Sequence, residues 1–365
     1  MSFLDDLNYL TDIDQIPRDG RIYIYGDGMM GGYLTDLLEA ERPDVVIAGY
    51  INSFTAGAFR GRPMVKAADF PGGEGAFDMV VITPLFFTRQ ITEQLKGVQR
   101  DKVFVNMVCD CGLHSGYTRE RFRPDTNAVE AIIDKLVTEE DRDNWQALVS
   151  ATANRDVSPV FRRFFESGAM DTMHYMEHVT LPKGGVVIEG GVCAGDTTAR
   201  FARAVGSSGR VFGFDPLGDR YARGNLDHLT DEDAPVEVFQ AALWHETTEL
   251  VFDDDGSATK TLEGGVGEKV NAVSIDGFVA ERGLDRVDFI KLDVEGAEPR
   301  VLEGARETLL RHRPVLAISI YHGVSQYYDI PMFLMNLLPD YQYHLNFYSP
   351  EGLETVLYGN PPERL

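Results

Sequence analysis

The sequence predicts an α/β protein with two parallel-sheet domains joined by a helical connector. Three observations point there. The chain has 365 residues, more than one ordinary hydrophobic core accommodates, so two domains are expected. An apolar strand, a glycine-rich turn and a helix succeed one another twice, near residues 21–41 and again near 185–205. Between these units lies a stretch with helical periodicity and little strand character. Alternating strands and helices imply parallel pairing with right-handed crossovers, the pattern of Rossmann-like sheets.

The first domain is expected over residues 1–110. Residues 1–20 read as a helical lead-in ended by Pro17 and the Asp19-Gly20 turn. Arg21–Tyr25 is a strand, Gly26-Asp-Gly28-Met-Met-Gly31 a turn and Tyr33–Glu41 a helix. Further strands are Val45–Ile51, Met79–Thr83 and Val103–Met107. Residues 111–180 form the connector, with helical periodicity at Ala128–Val137, Trp145–Ala151 and Phe161–Phe165, placed to cap the second domain. That second domain, residues 181–365, carries strands at Gly185–Glu189, Arg210–Asp215, Val236–Ala241, Asp288–Leu292 and Pro314–Ile320. Its helices are Thr197–Val205, Asp276–Arg282 and Pro299–Arg311, and Tyr341–Tyr348 with Glu354–Tyr358 closes it as an antiparallel hairpin.

Composition narrows the function. Apolar residues make up 44% and charged residues 25% of the chain, the range of globular proteins. Apolar runs such as Pro314–Tyr321 are strand-sized, so no membrane span is expected. The start, Met1-Ser-Phe-Leu-Asp-Asp6, lacks the basic and apolar regions of a secretory signal. Three cysteines, Cys109, Cys111 and Cys193, fit a reducing compartment, and a cytoplasmic location is expected. The net charge of −24 repels phosphate backbones, which disfavours nucleic acid as a partner. Solubility explains most of that charge. A neutral or cationic small molecule or glycan suits it as acceptor, and a homo-oligomer is compatible with it.

The chemistry concentrates in the second domain. In Glu189-Gly190-Gly191-Val-Cys193-Ala-Gly195-Asp196-Thr197, glycines let the backbone pass close to a ligand, and the helix start beyond them presents unpaired N–H groups. Alone, such a turn equally suits a dinucleotide enzyme or a plain tight turn. The next strand ends in Asp215-Pro216, and Asp215 stands 20 residues after Gly195. A strand-end carboxylate there can accept hydrogen bonds from both hydroxyls of an adenosine ribose, or simply be solvated. Ala241 ends the third strand, and Trp244 is expected near the adenine.

The stretch Val287-Asp-Phe-Ile-Lys291-Leu-Asp293-Val-Glu295-Gly-Ala-Glu298-Pro-Arg-Val-Leu-Glu-Gly304-Ala resembles the signature of FkbM-type methyltransferases. Val273-Ser-Ile-Asp276, Arg313–His322 and the closing Tyr341–Tyr358 region are similar to that family too, so the resemblance covers roughly residues 184–358. Glu189 departs from it, since class I methyltransferases more often carry Asp there. The resemblance implies a class I methyltransferase fold, S-adenosylmethionine as cofactor and transfer to a hydroxyl oxygen of a sugar, glycan or related metabolite. Glu189, Gly190, Gly191, Cys193, Gly195, Asp196, Thr197, Asp215, Pro216, Ala241 and Asp293 become the expected cofactor-binding residues.

Methyl transfer to a hydroxyl needs in-line alignment and a base. Asp293, His322 and Glu295 all lie just past strand C-terminal ends, where open α/β sheets bind ligands, and Lys291 precedes Asp293 by two. Each has a structural alternative: a helix cap or ion pair with Lys291 for Asp293, backbone capping for Glu295, a buried satisfied ring for His322. Asp293, Glu295 and His322 would also suit a divalent metal, which the spacing does not require. The aromatics Tyr321, Tyr327, Tyr328, Tyr343, Phe347 and Tyr348 fit a hairpin core better than sugar stacking. Asp253-Asp-Asp-Gly256 reads as a loop, lacking the other ligands of a calcium site.

In the first domain, Gly26, Gly28 and Gly31 fit a dinucleotide fingerprint by position. The second strand ends at Tyr50-Ile-Asn52 without an acid for a ribose, and Arg60 and Arg62 come later. This domain resembles the small Rossmann domains that precede sugar acyltransferases, which implies a nucleotide or nucleotide-sugar site. A structural or dimerising role and NAD chemistry are the alternatives. Cys109-Asp-Cys111 with His114 is too sparse for a zinc site. An O-methyltransferase is expected, and a non-catalytic nucleotide-sugar-binding scaffold with a vestigial methyltransferase domain is the alternative.

Overall fold

The computed structural model describes residues 3–71, 77–108, 125–167, 174–254, 259–262 and 268–364. The first sheet contains β1 (Asn8–Leu10), β2 (Arg21–Tyr25), β3 (Val46–Asn52), β4 (Gly57–Phe59), β5 (Arg62–Lys66), β6 (Met79–Ile82) and β7 (Val103–Asn106), with α1 (Met29–Glu41) and α2 (Thr88–Gln94) between strands. Their spatial order is β1-β7-β6-β2-β3-β5-β4, parallel except for β4. Successive strands leave β2 in opposite directions, so the switch point lies between β2 and β6, at the Gly26 turn.

Three helices come next: α3 (Thr126–Ile133), α4 (Glu139–Asn154) and α5 (Ser158–Ser167). Helix α4 starts with a capping box in which Thr138 and Asp141 bond each other's backbone N–H. Helix α5 buries Val160, Phe161 and Phe164, which share one helical face.

The second large sheet contains β8 (Val186–Gly190), β9 (Arg210–Asp215) and β10 (Val236–Gln240). A smaller sheet intervenes: β11 (Ala242–Leu243), β12 (Thr248–Asp254), β13 (Thr259–Leu262) and β14 (Glu268–Val273). The large sheet resumes with β15 (Phe289–Leu292), β16 (Val315–Ser319), β17 (Gln342–Phe347) and β18 (Thr355–Asn360). The helices are α6 (Asp196–Val205), α7 (Arg223–Leu226), α8 (Ile275–Arg282), α9 (Glu298–Glu303), α10 (Arg306–His312) and α11 (Gln326–Leu337). The order β10-β9-β8-β15-β16-β18-β17 is parallel through β16 and ends in the antiparallel β17–β18 hairpin. Its switch point lies between β8 and β15, where Glu189 stands opposite Lys291.

One hydrophobic cluster runs from the first sheet (Tyr25, Val80, Ile82) through the connector (Trp145, Phe161, Phe164) to the second (Ile188, Ile290, Tyr343). Polar ties reinforce it: Asp141 accepts from Leu345 N at 3.0 Å and lies 3.0 Å from His344 Nδ1, and Asn144 donates to Leu345 O at 3.1 Å. Trp145 and Tyr328 meet edge to face at 5.3 Å.

The structure corrects several expectations. The helical lead-in is two short 3₁₀ turns flanking β1, which pairs with β7; tertiary pairing overrides local propensity in so short a segment. The single helix expected over Pro299–Arg311 breaks at Gly304, where the chain runs against the backbone of Trp244 and His245. The small sheet, β4, β5 and α11 are additions to the expected elements, and Asp253 and Asp254 end strand β12 rather than lying in a loop. Tyr327 and Tyr328 belong to α11, not to the hairpin. Cys109, Cys111 and His114 lie outside the described residues.

Trp145 is fully buried at the centre of the shared cluster. Replacing it with Ala is expected to cost about 3–5 kcal/mol. Denaturant unfolding followed by circular dichroism checks this, and a midpoint equal to that of the wild type would contradict a load shared through the connector.

Candidate functional site

At the second switch point the chain's backbone is tightly determined. Gly191 has φ of 80°, and a Cβ there would lie 1.9 Å from the Asp293 carbonyl oxygen, so no other residue fits. The Lys291 side chain is almost wholly buried and donates to Gly191 O at 2.6 Å and Gly190 O at 3.3 Å. Its ammonium also lies 3.7 Å from Glu189 Oε1 and 4.9 Å from the centre of the Tyr175 ring. Lys291 therefore clamps the glycine turn and is not placed as a base.

Glu189 is fully buried, and its two oxygens accept from Thr197 and Thr198 Oγ1, each at 2.6 Å. Burial pushes its carboxyl upward, against the pull of Lys291 and the threonines. Glu189 and Thr197 thus bind each other and fix the start of α6. Cys193, at φ of 48°, donates its N–H to Asp215 Oδ2 at 3.0 Å, and Leu217 N donates to Oδ1 at 2.8 Å. Asp215 is fixed at the end of β9 with one lone pair left on each oxygen. Gly195 caps α6, Asp196 lies beside Arg200, Pro216 starts the turn after β9, and Ala241 is buried just after β10. Trp244 packs with Leu217 and Ala297, and its buried indole N–H has no hydrogen-bond partner.

Beyond β15 and β16 lies an acid–imidazole cluster. Asp293 accepts from Tyr175 OH at 2.8 Å and Tyr321 OH at 3.2 Å. Burial pushes its carboxyl up, but Lys291, His322 and the hydrogen bonds from Tyr175 and Ser319 outweigh that and hold it below the usual range. His322 Nε2 lies 3.4 Å from both Asp293 Oδ1 and Glu295 Oε2, and Nδ1 lies 2.9 Å from Glu298 Oε1. Burial pulls the His322 pKa down, yet Glu298, Asp293 and Glu295 raise it to about 9. These three carboxylates favour the protonated, cationic form of the His322 ring. Glu295 sits at φ of 53° in the turn. Asp293, Glu298 and His322 each place one ligand atom within 4.8 Å of the others, so Glu298 takes the place expected for Glu295 in a metal set.

Sequence reasoning did not single out Glu298, Tyr175, His174 or Glu354 as site residues. Glu298 stands inside the family-like motif. Tyr175 and His174 come from the connector's end, where nothing local marks them. Of the aromatics, Tyr327, Tyr343 and Phe347 are fully buried core, and Tyr321 reaches Asp293.

In the first domain, a Cβ on Gly31 would lie 2.2 Å from Gly26 O, and one on Gly26 would lie 2.6 Å from Thr83 Oγ1. Helix-to-turn packing accounts for both glycines. Gly28 caps α1 with open space around it. Asn52, in place of the ribose acid, donates to Asp27 at 2.7 Å and accepts from Phe54 and Thr55 N–H, a turn-forming role.

Residues 189–345 match the family model described as the methyltransferase FkbM domain. Over those residues the chain is similar to FkbM methyltransferase domains. The whole chain also resembles the crystal structure of methyltransferase FkbM from Methylobacillus flagellatus KT, at 18% identity over 95% of this chain and 92% of that one, with a TM-score of 0.65. At that identity the likeness concerns the fold, and it extends over both sheets. Fibrillarin from Aeropyrum pernix, solved with natively bound S-adenosyl-L-methionine, is more distant: 13% identity, 53% of this chain, 74% of that one and a TM-score of 0.32. No curated protein matches the sequence. No helix among the described residues is long and apolar enough to cross a membrane.

The switch point and the acid–imidazole cluster can each be tested by substitution. Lys291→Met leaves the Glu189 charge buried without its cation, a loss of about 3–5 kcal/mol. Adding Glu189→Gln should recover part of it, and denaturation of both variants and the pair would show strict additivity if the two residues were independent. His322 has its pKa raised on folding, so its contribution is complete below its unfolded value of about 6.5 and is lost as pH rises through about 9. The stability gap between wild type and His322→Gln should therefore narrow from pH 6 to pH 10; a gap that widens contradicts the ion-pair assignment.

Proposed function

We propose that the chain is an S-adenosylmethionine-dependent methyltransferase acting on a hydroxyl of a sugar, glycan or related small molecule. The observation that supports this best is Asp215. Two backbone amides fix its carboxylate beside the Gly191 turn, and it retains acceptor capacity for the two ribose hydroxyls. The residues present fit an adenosyl ligand in one further way: Trp244 holds a buried N–H donor without a partner.

When bound, the sulfonium supplies a methyl group already activated for attack. The chain's residues then have three tasks. Lys291 and Glu189 hold the turn rigid from below. Asp215 positions the donor. Asp293, ionised and fixed by Tyr175 and Tyr321, supplies a hydrogen-bond acceptor that can align a hydroxyl, so that reach and orientation supply much of the rate. The His322 cation balances the carboxylates around it. Because packing explains Gly26 and Gly31, this reading puts the reaction in the second domain alone.

Isothermal calorimetry with S-adenosylhomocysteine should show binding to the full chain. Asp215→Ala should weaken it by about 10- to 100-fold, the scale of one charged hydrogen bond at about 1.5–3 kcal/mol. No binding by the wild type would overturn the proposal.

A further inference from the structure

Glu354 immediately precedes β18 at φ of 57°, a conformation rarely held by a glutamate and one that marks functional sites when the surroundings impose it. Its carboxyl Oε2 lies 3.4 Å from His174 Nε2, and 42% of its side chain is exposed. The His174 ring is stacked on Tyr175, at 3.8 Å between centroids and 17° between planes, and leans on Tyr348 at 4.4 Å. Its Nε2 is buried without a hydrogen-bond partner. Tyr175 in turn bonds Asp293. A connector residue and a hairpin residue are thus brought together at the edge of the acid–imidazole cluster, and neither is needed to hold the glycine turn.

We propose that Glu354 takes the proton from the acceptor hydroxyl, with His174 as the positioning residue that orients its carboxyl. This rests on the methyltransferase reading above and names the base that it leaves open. In the step, the acceptor oxygen forms the new bond to the methyl carbon, and the carbon–sulfur bond breaks. The electron pair goes to sulfur and cancels the sulfonium charge, and the hydroxyl proton passes to the Glu354 carboxylate.

The surroundings suit this role. Partial burial together with Asp293 and Glu295, on the turn after β15, pushes Glu354 up to about 7 against the pull of His322 beyond β16 and Lys291 on β15. Burial pushes His174 down to about 4, so the ring is neutral, and with its proton on Nε2 it can donate to the Glu354 carboxylate. The neighbouring carboxylate of the cluster, Asp293, is held low and is the poorer proton acceptor of the two. A base works best with its pKa near the operating pH.

The test uses the full chain saturated with S-adenosylhomocysteine. Infrared difference spectra across pH 5 to 9 track the C=O stretch of protonated carboxyls in wild type, Glu354→Gln, Glu354→Asp and His174→Phe. The expected result is one carboxyl that deprotonates near pH 7 in the wild type, is absent in Glu354→Gln, persists in Glu354→Asp and moves by at least half a pH unit in His174→Phe. Calorimetry should show S-adenosylhomocysteine affinity unchanged within about threefold in all four. Transfer of labelled methyl to a panel of monosaccharides and nucleotide sugars should fall at least 100-fold in Glu354→Gln, with the acid limb of its pH profile lost. A wild-type spectrum without that carboxyl, or one that Glu354→Gln leaves unchanged, overturns the assignment while leaving cofactor binding intact. Failure of the wild type to bind S-adenosylhomocysteine overturns the underlying methyltransferase reading instead.

Discussion

The second domain depends on one buried ammonium. Lys291 Nζ sits at the switch point between β8 and β15, taking the carbonyls of Gly190 and Gly191 and facing the Glu189 carboxylate. Removing two charges from water is costly, and only close pairing and further hydrogen bonds offset it. Both conditions are met: the threonines of α6 occupy the Glu189 oxygens, and the turn's carbonyls occupy the ammonium. The pair therefore fixes the strand register, the shape of the glycine turn and the start of α6 together. Gly191 is a consequence of that arrangement, since the turn runs so close to the Asp293 carbonyl that no side chain fits. The path of the glycine-turn backbone and the position of Asp293 become one constraint.

The cluster beyond the clamp obeys a second balance. Asp293, Glu295 and Glu298 converge on a single buried imidazole. Four titratable groups in so small a space settle by holding a proton on the ring and keeping Asp293 ionised. Two carboxylates then sit in contrasting environments on one site: Asp293 held low by cations and hydroxyl donors, Glu354 held high by burial and neighbouring acids. Such a split is the usual means by which one fold separates an aligning group from a proton acceptor. The connector takes part directly, because His174 and Tyr175 come from its end and the same hydrophobic cluster packs it against both sheets.

Much of this was legible in the sequence, for reasons that differ by residue. The two parallel sheets, the connector helices and the closing hairpin arise from period and turn chemistry, which are local. The motif from Lys291 to Glu298 drew attention to the end of β15, where the acid–imidazole cluster lies. Roles within it were harder to read. Lys291 and Asp293 share a spacing that suits a catalytic pair, but only the three-dimensional path of the Gly190–Gly191 backbone shows that the ammonium is already occupied. A strand-end histidine reads as a candidate base, and only the fold shows the three carboxylates from the turn and α9 that surround it and favour its cationic form. His174, Tyr175 and Glu354 carry no local mark, because their partners stand more than a hundred residues away in the chain or across a hairpin. The first domain shows the converse: a glycine pattern that fits a nucleotide fingerprint is explained at Gly26 and Gly31 by the approach of the turn to Thr83 and to α1. The strand β1 and the small four-stranded sheet leave little trace in the local pattern because their pairing is supplied by distant segments.

A crystal structure of the full chain with S-adenosylhomocysteine tests the central claim most directly. The expected result is adenosyl density along the Gly191–Gly195 turn, both ribose hydroxyls on Asp215, and the sulfur on the side of the site occupied by Asp293 and Glu354. Density at the Gly26 turn of the first domain, or a ribose that leaves Asp215 untouched, would contradict it.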